Sequence, residues 1–243
     1  MTTPFIDFPC MILAAGRGER MRPLTDKLPK PLLEIHGQSL LSHHLVRLKK
    51  EGFQRVVINH AWLGHLIEEQ LGAGQELGLR ISYSAEKEAL ETAGGIATAL
   101  PLLEADDYFF VINGDVYSPD FPFEKLSPIV NNLRTQIKSA QTPTMAYLFL
   151  VKNPAHNPLG DFYLNENCVS SEQNGADSNH KYTFSGAGLY HKDMFTKIQP
   201  GTKAALAPLL KEAMSNNLVR GELLECGWHD VGTPERLMEL NQS

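Results

Sequence analysis

The chain has 243 residues, of which 42% are hydrophobic and 21% charged, and its formal net charge is -6 at pH 7. This composition excludes a disordered chain, and it disfavours a general nucleic-acid binder, which would be basic overall. No apolar stretch approaches the ~20 residues of a membrane helix and residues 1–9 contain no basic leader, so we expect a cytoplasmic protein with neither a nucleic acid nor a membrane as partner.

Length and spacing indicate one folded unit. The sequence contains no internal repeat and no linker-like segment, and α/β sheets of this length are common in single domains. Its three cysteines have no C-x-x-C spacing, which indicates neither a disulfide framework nor a zinc site. We therefore expect a single domain over residues 1–243.

In the first half of the chain, short apolar runs alternate with helix-like segments. The apolar runs predict buried strands at residues 8–13, 55–59, 79–84 and 108–112. Between them, we expect helices at residues 39–51, 65–71 and 92–100. This alternation predicts a doubly wound, Rossmann-like α/β fold with three layers, α/β/α, around a central mixed, mostly parallel sheet. Ligands would then gather outside the carboxyl ends of the strands.

The second half is less regular. Its expected helices cover residues 123–138, 203–216 and 233–240, and its expected strands cover 144–151, 161–169 and 182–190. The last helix has Thr233 as its cap and Pro234 at its first position. Residues 170–181, rich in Ser, Asn, Asp and Gly, are typical of an exposed hairpin tip.

A glycine-rich, basic loop follows the first strand. Small residues allow backbone N–H groups there to approach a ligand closely, and the glycines tolerate positive φ, so the amides can form an anion-binding nest. The residues of this backbone cradle are Leu13, Ala14, Ala15, Gly16 and Gly18. Arg17, Arg20 and Arg22 add charge for phosphate oxygens, and Pro29 and Pro31 would aim Lys30 at a fixed point. We therefore expect a phosphate site.

Two aspartates are candidates for metal ligands. Asp115 follows the apolar strand at 108–112, and Asp230 precedes the last helix in the segment Gly-Trp-His-Asp-Val-Gly-Thr. Each alone is typical of a turn or helix entry, but both lie beside a phosphate loop. Mg²⁺ needs few carboxylates, because it keeps several waters and takes further ligands from substrate phosphates. The pattern therefore predicts Mg²⁺ as the cofactor.

The loop L-A-A-G-x-G-x-R-x-x-P-L-T, followed by P-K-P, resembles the signature of the sugar-1-phosphate nucleotidyltransferases. The resemblance implies the fold of the nucleotide-diphospho-sugar transferases and a Mg²⁺ ion held by Asp115 and Asp230. It assigns Arg20 to the triphosphate and the leaving pyrophosphate, and Lys30 to the α-phosphate and the attacking phosphate. It also implies a nucleotide-binding half at about 8–120 and a sugar-binding half at about 121–243.

The resemblance places the base and ribose at residues 86–95, which include Glu86 and Gly94. A carboxylate at Glu86 could accept from uracil, thymine or guanine, or could equally be a solvated loop charge. Polar or small residues at the same edge of the sheet are candidates for sugar contacts, namely Asn59, Asn113, Gly160, Asp161 and Ser185. For His60, packing or capping of the following helix is at least as plausible as a sugar contact. The remaining histidines show no metal-ligand spacing, and we expect them to be structural.

Segments at 59–64, 90–95, 113–116, 160–162 and 183–186 are similar to a branch of this family that transfers a uridylyl group from UTP to N-acetylmuramate 1-phosphate. Two alternatives stay open. One is a glucose- or mannose-1-phosphate nucleotidyltransferase using UTP, dTTP or GTP. The other is a non-catalytic regulatory protein that binds a nucleotide-sugar, but such relatives tend to lose the charged residues retained here. The sequence contains no signal for an oligomeric state.

Overall fold

The computed structural model describes residues 6–139, 141–173 and 180–242. Thirteen strands lie in this part of the chain: β1 (Cys10–Leu13), β2 (Glu34–Ile35), β3 (Gln38–Ser39), β4 (Arg55–His60), β5 (Arg80–Ala85), β6 (Tyr108–Asn113), β7 (Val116–Tyr117), β8 (Ala146–Val151), β9 (Phe162–Asn165), β10 (Cys168–Ser170), β11 (Lys181–His191), β12 (Val219–Leu223) and β13 (His229–Asp230). Its α-helices are α1 (Leu40–Lys50), α2 (Gly64–Leu71), α3 (Glu91–Leu103), α4 (Leu126–Lys138), α5 (Leu206–Ser215) and α6 (Pro234–Gln242). None of these helices has the length and apolar character that crossing a lipid bilayer requires.

Nine of the strands form one twisted sheet in the order β5-β4-β1-β6-β11-β8-β12-β10-β9. The first four are parallel to one another, and β11 then runs antiparallel to both β6 and β8. β12 is parallel to β8, and the β9–β10 hairpin completes the edge in antiparallel pairing. The mixed sheet is therefore confirmed, with its longest parallel block formed by the first half of the chain.

Alternation along the strands builds two separate hydrophobic cores. In β1, Ile12 packs with the core on the side of α1, α2 and α4, whereas its neighbour Met11 packs with the core on the side of α3 and α5. Both side chains are completely buried. Because adjacent strand residues point to opposite faces, the side chains of one short apolar run pack against helices on both faces of the sheet. The predicted three-layer α/β/α arrangement is confirmed.

A third, smaller core attaches α6 to the loop after β1. Met21 from this loop packs with Leu40 of α1 and with Val231, Leu237 and Leu240 around α6. The helix begins at Pro234 as predicted, and the Thr233 hydroxyl accepts a hydrogen bond from the Arg236 amide at 3.5 Å. Through this third core, the C-terminal segment that contains Asp230 packs against the loop after β1.

The second half departs from the expectation in three places. The strand expected at 161–169 is a hairpin, because Glu166 turns the chain with a φ of 52°. β12 has no equivalent among the predicted strands, since its sequence Val-Arg-Gly-Glu-Leu is not an apolar run. The helix expected from residue 203 begins at Leu206. The tip expected at 170–181 connects β10 to β11, and residues 174–179 lie outside the described part.

Below the amino end of β6, Arg134 of α4 ties together two acidic residues. It donates two hydrogen bonds to the Asp107 carboxylate, at 2.7 and 2.9 Å, and one to Asp7 at 2.6 Å. Burial works to raise the pKa of Asp107, but hydrogen bonds from Arg134 and the Tyr108 amide outweigh it and leave that pKa below its usual value.

We predict that Arg134→Gln lowers the free energy of unfolding at pH 7 by about 1–2 kcal/mol, because it removes charge-assisted hydrogen bonds from a half-buried carboxylate. A carboxyl with a lowered folded pKa stabilises the fold above its unfolded pKa, and this contribution is lost as the pH falls through the folded pKa. Urea denaturation should therefore show the difference shrinking below pH ~4. The control is Arg80→Gln, which removes an exposed pair with Glu104. A difference that stayed constant from pH 7 to pH 3 would contradict the assignment.

Candidate active site

The loop after β1 turns at Gly18, which has a φ of 68°. A Cβ atom there would lie 3.1 Å from the side chains of both Lys30 and Thr25, so the turn and the close approach both require glycine. Gly16 differs, because it lacks a positive φ and a Cβ there would meet open space. Its exposed backbone is the part of the loop that a ligand reaches without displacing protein atoms.

The structure corrects the expectation that three arginines of this loop bind phosphate. Arg17 lies 3.8 Å from the centroid of the Trp62 ring and donates to the Thr25 carbonyl at 2.9 Å. Arg22 forms an ion pair with Asp26 at 2.8 Å. Both side chains therefore brace the loop rather than face a ligand.

Arg20 is different from its two neighbours. Within the described residues its side chain forms neither a hydrogen bond nor an ion pair, and it lines a cleft together with Asp115 and Asp230. A guanidinium without a protein partner at the mouth of a cleft is available for a phosphate group. Among the loop arginines, Arg20 fits the phosphate-binding role.

The Lys30 side chain contacts Asp115, which lies just after β6. The Lys30 ammonium lies 2.5 Å from Asp115 Oδ2, and Lys30 is only 7% exposed. Asp115 follows β6, and the Gly114 amide donates to the Leu13 carbonyl at 2.8 Å, which holds the end of β6 beside the end of β1. The proline-flanked lysine therefore does point to one position, next to the first candidate metal ligand.

Asp115 and Asp230 are joined through a short ladder between β7 and β13. Asp230 pairs with Val116, and the Val231 amide donates to the Asp115 carbonyl at 3.0 Å. Both aspartates line one cleft of about 320 Å³, here called the aspartate cleft, with Arg20 and Asn113 on its wall. Residues from distant parts of the sequence thus face the same space.

The two carboxylates fit a magnesium ion that arrives with phosphate. Among the residues that the structure describes, no three His, Cys, Asp or Glu side chains group into a metal site by themselves. Mg²⁺ does not need such a group, since one or two carboxylates, water and phosphate oxygens complete its octahedron. Asp115 and Asp230 would be its protein ligands.

Asn59 connects the loop to Glu86. Its Oδ1 atom accepts from the Ala14 amide at 2.9 Å, and its Nδ2 donates to Glu86 Oε1 at 2.7 Å. The other Glu86 oxygen accepts from the Leu90 amide at 2.8 Å. Asn59 is 2% exposed and Glu86 is 7% exposed. Asn59 was expected among the sugar contacts, but its amide is directed into the nucleotide-binding half.

Gly94 and Gly95 at the start of α3 serve two different close approaches. The Gly94 amide donates to the Ala204 carbonyl at 3.0 Å, and a Cβ on Gly94 would collide with the Thr202 carbonyl. A Cβ on Gly95 would lie 2.8 Å from both Asn59 and Glu86. We expected the absence of a side chain at Gly94 to let a ligand approach its backbone, but the backbone of residues 202–204 occupies that space.

A second cleft of about 570 Å³, here called the apolar cleft, lies beside the first. Its walls include Leu13, Asn113, Asp161, Phe162, Tyr190 and Leu206. Both clefts share Asn113, Phe184 and Gly186, so they meet along β6 and β11. The two clefts are therefore neighbours that share one stretch of wall.

The remaining candidates for sugar contacts surround this junction. Asp161 lines the apolar cleft and accepts a hydrogen bond from the Phe184 amide at 2.8 Å. Ser185 lines the aspartate cleft and lies where the register between β11 and β8 shifts. Gly160, with a φ of 64°, forms the turn that carries Asp161. The structure thus brings Asn113, Asp161 and Ser185 to the clefts. Gly160 does not line either cleft, but its backbone forms the turn that positions Asp161.

Two residues at the site were missed by sequence reasoning. Arg236 of α6 donates to Asp230 Oδ2 at 2.9 Å, and His156 Nε2 lies 3.4 Å from the same oxygen. Arg236 could have been found from its position on the helix that follows Asp230. His156 lies in an irregular loop after β8, where no periodicity or motif marks it.

Comparisons with known proteins identify the family and the fold of the chain. The family profile described as "Nucleotidyl transferase" matches residues 10–243. The N-acetylmuramate alpha-1-phosphate uridylyltransferase of Neisseria meningitidis serogroup B is 50% identical over 94% of this chain and 95% of its own length. The mannose-1-phosphate guanylyltransferase catalytic subunit beta of Xenopus tropicalis is 42% identical, over 48% of this chain and 32% of its own. The crystal structure of HddC from Yersinia pseudotuberculosis superposes with a TM-score of 0.73 at 21% identity, covering 97% of this chain and 98% of that one.

We predict that Asn59→Ala lowers the free energy of unfolding by about 1–3 kcal/mol, because it leaves the Ala14 amide and a Glu86 oxygen buried without their partner. Urea denaturation measures the loss. Asn131→Ala is the control, since Asn131 is an exposed residue of α4. Equal stability of the two variants would show that the Asn59 amide is not part of the scaffold.

Proposed function

Because the chain belongs to the nucleotidyl transferase family, we propose that it transfers a uridylyl group from UTP to N-acetylmuramate 1-phosphate. The products are UDP-N-acetylmuramate and pyrophosphate, and we assign the reaction to peptidoglycan recycling in the cytoplasm. The observation that carries the proposal is that Arg20, Asp115 and Asp230 line one cleft, where Lys30 contacts Asp115. The Neisseria relative, matched over nearly its whole length, supports the choice of base and sugar.

The reaction needs charge neutralisation more than covalent chemistry by the protein. An oxygen of the sugar phosphate attacks the α-phosphorus of UTP in line, and the bond to the β-phosphate oxygen breaks. The electron pair of that bond leaves with pyrophosphate. Negative charge accumulates on the oxygens of the α-phosphate and on the leaving group, so fixed positive groups at these positions lower the barrier.

Two basic residues can supply that charge. Lys30 is buried beside Asp115, and an α-phosphate bound at the cleft would replace the carboxylate as its partner. Arg20 lies at the cleft without a protein partner in the described structure, which suits it to the leaving pyrophosphate. A bound Mg²⁺ ion would neutralise further negative charge on the phosphate oxygens. Asp115 and Asp230 would hold that ion.

The two clefts divide the substrates between the halves of the chain. We assign residues 8–120 to the nucleotide, which would lie over Gly16, Gly18 and Glu86, and residues 121–243 chiefly to the sugar. The apolar cleft has the volume for a sugar ring with an acyl substituent, and Asn113 and Asp161 offer polar contacts on its wall. One nine-stranded sheet contains strands from both halves, which supports a single catalytic domain.

The alternative substrates have weaker support. Mannose-1-phosphate relatives are less similar to this chain: they are 42% identical over 48% of it or 29% identical over 93% of it, whereas the uridylyltransferase is 50% identical over 94%. A non-catalytic regulatory protein would have no need of four charged residues brought together at one cleft. Their convergence favours an enzyme.

A substrate panel tests the proposal. We predict that pyrophosphate release is fastest with UTP and N-acetylmuramate 1-phosphate, by at least about tenfold in kcat/KM over glucose 1-phosphate or mannose 1-phosphate and over dTTP or GTP. Addition of EDTA should stop release, and titration with Mg²⁺ should restore it. Preference for another pair would reassign the substrate, whereas no release with any pair would contradict the enzymatic function.

The role of Lys30 is tested with Lys30→Met, which keeps the aliphatic stem and removes the charge. We predict that kcat falls by roughly 10²- to 10³-fold while far-UV circular dichroism shows that the fold is kept, since the ammonium stabilises charge that develops during the reaction. The matched control is Lys27→Met, which changes an exposed lysine of the same loop. Comparable turnover of the two variants would remove Lys30 from the reaction.

A further inference from the structure

A rigid turn after β8 presents a histidine to the aspartate cleft. The Asn157 amide donates to the Pro154 carbonyl at 3.0 Å, and this closes the turn around His156. On one side, Asn153 donates to the Lys181 carbonyl at 2.9 Å. On the other side, the Asn157 side chain donates to Asp161 at 3.1 Å. Both ends of the turn are therefore anchored by hydrogen bonds, and His156 lies between them with its side chain 33% exposed.

The imidazole of His156 lies between a tryptophan and an aspartate. Its ring is nearly parallel to the Trp228 ring, at 21° with centroids 6.3 Å apart, and Trp228 is itself fixed by a hydrogen bond to the Ser185 carbonyl at 2.8 Å. His156 Nε2 lies 3.4 Å from Asp230 Oδ2, at the outer limit of a hydrogen bond. Arg236 already binds that oxygen at 2.9 Å. The Nε2 atom is thus close to the cleft without being committed to a strong protein partner.

The position of the two clefts determines where a sugar phosphate would lie. They meet at Asn113, Phe184 and Gly186, so a sugar in the apolar cleft extends its 1-phosphate into the aspartate cleft. Of the described residues that line the aspartate cleft, only Arg20 and His156 have basic side chains. Arg20 comes from the loop after β1, in the half assigned to the nucleotide, whereas His156 comes from the loop after β8, in the half assigned to the sugar.

We propose that His156 donates a hydrogen bond from Nε2 to a phosphate oxygen of the sugar 1-phosphate and so positions the attacking group. The inference rests on the proposed function in that a sugar 1-phosphate is the acceptor. A phosphate contact suits this residue better than a metal contact, because Mg²⁺ takes oxygen ligands and binds imidazole poorly. A phosphate oxygen is also a better acceptor than the shared, distant Asp230 oxygen.

The test compares His156→Ala and His156→Gln with the control His65→Ala, which changes an exposed histidine of α2. The acceptor is the sugar 1-phosphate that the wild type uses best in the substrate panel. For His156→Ala we expect KM for this acceptor to rise roughly tenfold or more, with KM for UTP unchanged within about twofold. His156→Gln should recover part of the loss, because its amide also donates a hydrogen bond.

Isothermal titration supplies a readout without turnover. The sugar 1-phosphate should bind His156→Ala roughly tenfold or more weakly than the wild type, whereas the same sugar without its phosphate should bind both equally. An unchanged KM for the acceptor, or an equal rise in KM for UTP and acceptor, would overturn the proposal. If the panel identifies another sugar 1-phosphate, the proposed substrate fails and the His156 test proceeds with that compound. If the wild type neither uses nor binds any sugar 1-phosphate, both proposals fail.

Discussion

The contact between Lys30 and Asp115 is the interaction on which the site depends. It joins the loop after β1 to the end of β6, and it exists because these two strands are parallel neighbours whose carboxyl ends lie side by side. Gly18 allows the loop to pack against the Lys30 side chain, and the Gly114 amide bonds to the end of β1. Small residues at these two positions therefore allow a cation and an anion to come into contact beside the cleft that Asp115 lines.

A similar pairing surrounds the second aspartate, where Arg236 binds Asp230. In the absence of ligand each carboxylate thus has a basic partner from the chain. The charges within the cleft are nearly balanced, while Arg20 and His156 remain at its walls for incoming phosphate. Each carboxylate is stabilised by its basic partner, and in the proposed reaction phosphate groups would replace the carboxylates as partners of the basic residues. The same residues then serve the folded protein and the proposed reaction.

Local patterns predicted the first half of the fold well. β1, β4 and β6 are largely apolar and lie buried in the sheet, and β5 at its edge is only partly buried, so composition and period were sufficient to predict these strands. Prediction was weaker for β12, whose Arg, Gly and Glu residues do not resemble a buried strand. It was weaker again for β9 and β10, because a single left-handed residue turned one expected strand into a hairpin. Such elements are stabilised by their neighbours in the sheet rather than by their own residues.

The sequence alone determined the family, and it predicted the phosphate loop and the two aspartates, because these depend on residue types at short spacing, where backbone freedom and charge are local properties. The tertiary structure decided which loop arginine is free, since Arg17 and Arg22 have partners that no spacing reveals. It also directed Asn59 toward Glu86 and brought His156 to Asp230. These outcomes depend on how strands distant in sequence are ordered in the sheet, and a linear pattern contains no direct signal for contacts at that separation.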